Sequence, residues 1–244
     1  MPDIQVSDNI TLKEIPHYNV VITTPGHSML KQYTKSLAKT IQKLEELGIT
    51  WTYQSEYTSI VATAREATIA GRINYHVDDS RPGFGEYTYD KLFMIDSDIE
   101  WEPEAFLSLY YSDKDIVSGC YSVMQFEWVS AFYKFSDTTP INFHKIKKEE
   151  DLVEVQVVGL GFCCVKKGVF ESIRRPWFFY PVIEIELENG DKMGSPNFSE
   201  DAAVCHKWVS EGGFQIWLDP KIRVIHNKTY GFNLDFLMNQ NPQD

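Results

Sequence analysis

Leu92-Phe93-Met94-Ile95-Asp96-Ser97-Asp98 sets four consecutive apolar residues against two acids with one serine between them. A short, unbroken apolar run is the mark of a strand covered on both faces, and such strands belong to sheets sandwiched between helices. The acids that follow then lie at the carboxyl end of the sheet, where open α/β folds bind their ligands. If the strand direction persists, Asp96 and Asp98 point to the same side, because alternate residues share a face. Hard carboxylate oxygens suit Mg2+ or Mn2+, and such an ion keeps positions open for phosphate oxygens. The competing account makes the two acids a cap on the next helix or a solvated loop.

Outward from this stretch, both flanks read as βα units. Asn19-Val20-Val21-Ile22-Thr23-Thr24 is a β-branched run closed by Pro25-Gly26, a buried strand ending in a turn. Ser28 is the expected N-cap of a helix reaching about Gly48, with Leu30, Leu37, Ile41 and Leu44 at helical spacing. Ile49 to Tyr57 reads as a second strand and Ile60 to about Ile73 as a second helix, followed by a loop over residues 76–88. Glu102-Pro103-Glu104 opens a further helix, with proline and acids in the first turn. Three alternations of strand and helix predict a mainly parallel sheet with helices on both faces.

Past Asp115–Cys120 the pattern changes. Trp128–Phe135 and Val153–Val158 read as strands joined by a polar insert, 136–151, rather than by a helix, which predicts a smaller mixed β region. Val169–Ile173 reads as part of a short helix, and 182–193 as a hairpin turning at Asn189-Gly190. A helix from Ser199 to about Glu211, a strand Gln215–Leu218 and a last strand 221–225 reaching His226 complete the chain before a tail from Gly231. No repeat or linker interrupts it.

Lys and Arg total 23 against 35 Asp and Glu, a net charge of −12, which argues against nucleic acid as the main partner. The four cysteines, Cys120, Cys163, Cys164 and Cys205, form no CxxC pair, and three lie in apolar runs, so buried reduced thiols are expected. No segment reads as a signal peptide and no apolar run approaches the roughly 18 residues of a membrane span. The expectation is a soluble protein of a reducing compartment, the cytoplasm.

Taken in order, the N-terminal strand and turn, the hhhhDxD at 92–98, the later Ser199-Glu200-Asp201 opening a helix, and His226 after the last strand resemble GT-A glycosyltransferases, particularly family-2-like enzymes. The resemblance covers about residues 19–228 and implies one GT-A domain over 1–244: a nucleotide-sugar-binding half at about 19–120, an acceptor-binding half at about 121–228, and a tail at 229–244. It implies a hexosyltransferase-class enzyme that moves a sugar from a nucleotide-diphosphate sugar, UDP-sugar favoured, to an acceptor hydroxyl. Inversion at the sugar carbon is favoured. Mn2+ or Mg2+ would be held by Asp98 and His226 with Asp96 beside them, Asp96 also approaching the donor ribose. Thr24, Pro25, Glu56, Arg65 and Lys228 would bind the nucleotide or its diphosphate. Asp201, with Glu200 next to it, would be the base that deprotonates the acceptor. Val158-Gly159-Leu160-Gly161-Phe162 resembles the glycine-containing segment before the acceptor site, and Trp128, Trp177, Phe178, Phe179 and Tyr180 are candidate stacking surfaces for a sugar. The acceptor class stays open among glycan, lipid, protein and modified base.

Several residues also have plain structural readings: first-turn acids on a helix dipole for Glu200 and Asp201, a strand-end histidine for His226, and a β-bulge for Gly159 and Gly161. Competing functions are a catalytically weak sugar-nucleotide-binding module, a nucleotidyltransferase and a DxD phosphatase. A phosphatase of the haloacid-dehalogenase type prefers its DxD on the first strand, with Thr or Val where this chain has Glu100. A nucleotidyltransferase would carry a Gly-rich basic loop where this chain has Thr-Thr-Pro-Gly-His.

Overall fold

The computed structural model describes residues 14–72, 74, 76–123, 128–137, 139–146, 151–181, 183–186, 192–195 and 199–228. In chain order its elements are β1 (His17–Thr23), α1 (Lys31–Glu46), β2 (Trp51–Gln54), α2 (Val61–Ala70), β3 (Thr88–Ile95), β4 (Ile99–Glu100), α3 (Pro103–Tyr111), β5 (Ile116–Cys120) and β6 (Ala131–Phe132). Then follow β7 (Val153–Val155), β8 (Val157–Val158), β9 (Phe162–Lys166), β10 (Ile183–Glu186), β11 (Lys192–Ser195), α4 (Glu200–Ser210), β12 (Ile216–Arg223) and β13 (Ile225–His226).

The central sheet has seven strands in the order β2-β1-β3-β9-β5-β12-β7. Strands β2, β1, β3, β5 and β12 run one way, whereas β9 is antiparallel to both its neighbours and β7 is antiparallel to β12. The fold is therefore α/β with a mostly parallel central sheet, as the alternation of elements predicts. The antiparallel strand inserted between β3 and β5 was not expected. Phe162–Lys166 is as apolar as β3, and an apolar run carries no sign of its direction.

Alternation along the central strands separates two cores. Val20, Ile22, Phe93 and Ile95 face α1 and α3, packing with Leu44, Phe106 and Leu109, and the Phe93 and Phe106 rings stack 3.8 Å apart. Val21, Leu92 and Met94 face α2 and α4, packing with Ala62, Ile69, Val204 and Trp208. Helices thus cover both faces, and β3 is buried on each, as its unbroken apolar run requires.

Several boundaries differ from expectation. Ser28 does not cap α1; its N-cap is Leu30, whose N–H donates to Ser97 O at 3.1 Å, so the DxD turn holds the helix end. The inward face of α1 includes polar Ser36 and Thr40, because Trp101 donates its backbone N–H to Ser36 Oγ at 3.0 Å and its Nε1–H to Thr40 Oγ1 at 2.9 Å. Val169–Ile173 forms turns rather than a helix. Gln215–Leu218 and 221–225 are largely one strand, β12, continuous through Pro220, with β13 following after Val224. The hairpin is present as β10 and β11, while its Asn189-Gly190 turn and the tail from residue 229 lie outside the described residues.

Candidate functional site

At the end of β3 the chain turns instead of continuing straight: Asp96 N–H donates to Gly161 O, and Ile99 N–H reaches back to Asp96 O, both at 3.0 Å. The strand direction therefore does not persist, and the two acids take different partners. Asp96 meets Arg65; Asp98 meets His226 and Lys228.

Arg65 lies on α2, where Ala62, Ala64 and Ala67 are all buried against the core. Only 6% of the Arg65 side chain is exposed. Its guanidinium grips Asp96 with both terminal nitrogens, Nη1 at 2.9 Å from Oδ1 and Nη2 at 3.2 Å from Oδ2. Its Nε–H donates to Glu200 Oε1 at 3.2 Å and lies 3.3 Å from Asp201 Oδ1. Glu200 and Asp201 are delivered by the first turn of α4, whose N-cap Ser199 accepts a hydrogen bond from Ala202 N–H, as the sequence predicts. Asp201 also accepts the Leu160 N–H on Oδ2 at 3.2 Å.

One guanidinium cannot neutralise three carboxylates. Burial opposes the Arg65 charge, but Asp201, Asp96 and Glu200 together hold it firmly protonated. Asp201 goes the other way: burial raises its pKa, Arg65 pulls it down, and Glu200 and Asp96 push it back up, to about 7. An acid poised there can hold or release a proton near neutral pH.

On the other side of the DxD turn, β13 pairs antiparallel with β4, setting His226 opposite Ile99, and Asn227 N–H donates to Asp98 O at 2.9 Å. His226 Nδ1 lies 2.9 Å from Ser122 O. A carbonyl only accepts, so Nδ1 carries the hydrogen and Nε2 faces Asp98 Oδ2 at 3.2 Å. A bare Nε2 lone pair at that distance from a carboxylate oxygen is repulsive unless a positive charge lies between them. A proton supplies it, and the Asp98 hydrogen bond accordingly raises the His226 pKa against the opposing effect of burial. Burial works to raise the Asp98 pKa, but hydrogen bonds from His226 and Lys228 outweigh it and lower it. A divalent ion would fit the same slot, since nitrogen and oxygen ligands each about 2.0–2.2 Å from one ion at near right angles are about 3 Å apart. Among the described residues no three His, Cys, Asp or Glu side chains are placed to hold one metal ion, so the pair would offer two ligands and leave the rest of the shell to others.

Tyr121 joins the two clusters. Its OH accepts the Gly161 N–H at 3.0 Å, and its ring packs edge-on against His226, with centroids 5.3 Å apart. A Cβ on Gly161 would stand 2.8 Å from that OH and 3.2 Å from Asp96 Oδ2, so this close approach requires glycine. The sequence offered no signal for Tyr121, a single aromatic one residue beyond β5.

The remaining predicted residues differ in what they offer. Thr24 is fully buried with its hydroxyl paired to Tyr33 OH, so its side chain serves the core and is not available to a nucleotide. Pro25 and Gly26 border the DxD turn, where a Cβ on Gly26 would meet Ser97 Oγ at 3.1 Å. Glu56 is half-buried and tied in by its backbone, its O accepting the Gly26 N–H and its N–H donating to Thr68 Oγ1. Arg65, expected against the nucleotide or diphosphate, has its guanidinium engaged by carboxylates, because α2 turns it inward rather than to the mouth. Trp177 and Phe178 are core residues, whereas Phe179 and Tyr180 are exposed and Trp128 is half-buried. All four cysteines are buried and free, as expected.

No family model matches this chain, and no curated protein matches it. Among solved structures it is similar to the crystal structure of A197 from STIV, with a TM-score of 0.48 at 17% sequence identity, covering 88% of this chain and 97% of that one. Among the described residues no helix is long and apolar enough to cross a membrane.

Proposed function

We propose that this chain is a metal-dependent glycosyltransferase of the GT-A type, moving a sugar from a nucleotide-diphosphate sugar to an acceptor hydroxyl. One observation carries the reading: Asp96, Asp98, Glu200, Asp201 and His226, far apart in sequence, gather with Arg65 and Lys228 around a single turn at the carboxyl end of β3. UDP-sugar is the favoured donor. The neighbouring turn at Pro25-Gly26 and the acid Glu56 would border the nucleotide. The four buried thiols fit a reducing compartment such as the cytoplasm.

In this reading Asp98 and His226 would hold Mn2+ or Mg2+, which when bound would supply charge stabilisation to the departing diphosphate. Lys228, 3.2 Å from Asp98, adds a second positive group on that side. Asp96 is fixed by its ion pair and hydrogen bond with Arg65 and would present its rim to the donor ribose. Asp201 takes the acceptor hydroxyl proton as the new bond from that oxygen to the sugar carbon forms. The bond from that carbon to the diphosphate oxygen breaks, its electron pair leaving with the nucleoside diphosphate. A single displacement of this kind inverts the sugar carbon.

The deciding experiment offers a panel of nucleotide-diphosphate sugars to the protein with Mn2+ or Mg2+, and again with EDTA. Metal-dependent release of nucleoside diphosphate from at least one donor is expected, and it should vanish in Asp98→Ala. Tight binding of UDP without any turnover would instead favour a nucleotide-sugar-binding module. No release and no nucleotide binding would refute both.

A further inference from the structure

We propose that a groove beside the β6–β8 pair is a sugar-binding site, built to hold a neutral oligosaccharide acceptor. The proposal deepens the glycosyl-transfer reading and rests on it for the acceptor role, whereas sugar binding itself rests on the groove. The cavity measures about 450 Å³, within the roughly 300–1,000 Å³ of small-molecule sites. Trp128 and Tyr133 line it together with Asp137, Asn142, Lys145 and Thr139. Tyr133 is 44% exposed, so an aromatic body is already open to solvent there.

The polar groups are held in fixed directions. Asn142 Oδ1 accepts the His144 N–H at 2.9 Å, which leaves the amide NH2 to a ligand. Asp137 Oδ2 accepts the Lys134 N–H at 2.9 Å, which leaves Oδ1 to one. An anionic ligand would meet Asp137 and a cationic one Lys145, while a purely apolar ligand would strip water from both. A sugar avoids all three penalties: its C–H face lies on an aromatic ring and its hydroxyls both donate and accept.

The groove is joined to the candidate active site by a short stretch of chain. Trp128 O accepts the Val123 N–H, Ser130 N–H donates to Tyr121 O, and Gly159 N–H donates to Ser130 O at 2.6 Å. Tyr121 in turn holds Gly161 beside Asp96. Three residues, Trp128, Val129 and Ser130, therefore lead from the groove to the corner that Asp96, Asp201 and Tyr121 share.

The test probes the full-length protein in EDTA on an array of neutral and charged oligosaccharides. Neutral glycans should be retained, and binding should be equally strong in Asp98→Ala. Trp128→Ala and Tyr133→Ala should each weaken it about tenfold, the weight of one lost aromatic face. If Trp128→Ala melts early, the exposed Tyr133→Ala and Lys145→Ala carry the test. No glycan binding, a preference for charged glycans, or unchanged affinity in the groove variants overturns the proposal. Glycan binding without any nucleotide release defeats the transferase reading and leaves the groove standing; release without glycan binding does the reverse.

Discussion

Arg65 is the residue on which the site's electrostatics turn, since Asp96, Glu200 and Asp201 all depend on one buried guanidinium. Removing one partner of a buried ion pair leaves uncompensated charge, so Arg65→Ala is expected to cost about 3–5 kcal/mol in urea unfolding. Asp201 gives a prediction of the opposite kind. Its folded carboxyl keeps a proton up to about pH 7, while an unfolded one releases it near pH 4. Between those values the folded state binds more protons, so stability is fully present below about pH 4 and declines as pH rises toward about 7. Asp201→Asn in EDTA should flatten that decline in a series of thermal melts. The same substitution removes the base, and turnover should fall by about 10²-fold or more with donor affinity near wild type. In the wild type, turnover should climb through about pH 7 as the carboxylate forms.

Two elements place the acids, and each does so by its end. Helix α4 begins at Ser199, whose side chain accepts the Ala202 N–H, so Glu200 and Asp201 come in the first turn. Ser199→Ala should cost about 1 kcal/mol by urea unfolding, and the loosened turn should lower turnover more than donor affinity. A purely structural cap would leave turnover unchanged once the protein is folded. The start of this helix is legible in the sequence, because a capping serine followed by acids is a local pattern. The end of β3 is legible for the same reason, an apolar run stopping abruptly at Asp96. Strand β9 is not, because its pairing between β3 and β5 is decided by partners far away in sequence.

Across the whole molecule the site closes only when the last strands return to the DxD turn. Strand β13 pairs with β4, bringing His226 and Lys228 to Asp98. A ligand seated there would tie together segments that are separate in the unfolded chain, so it should stabilise the fold as a whole. Mn2+ with UDP at about 100-fold above the dissociation constant should add about 2.7 kcal/mol and raise the melting temperature by roughly 5–10 °C for a chain of this size. EDTA should abolish the shift, and Asp98→Ala should show none. A shift of equal size with UDP and EDTA would remove the metal from the account.

Local chemistry in the sequence determined the α/β class, the position of β3, the capped start of α4 and the identity of the acids, because each depends on residues within a few positions of one another. Long-range packing decided the rest. The turn at Ser97 sends Asp96 and Asp98 to different partners, and helical spacing did not reveal that α2 turns Arg65 inward to grip Asp96. Thr24 reads as a turn residue beside a ligand until Tyr33 claims its hydroxyl in the core. Tyr121 gains its place only when the β5 end, Gly161 and His226 meet. Such contacts are set by which surfaces the whole chain buries together, and no short stretch of sequence contains both partners.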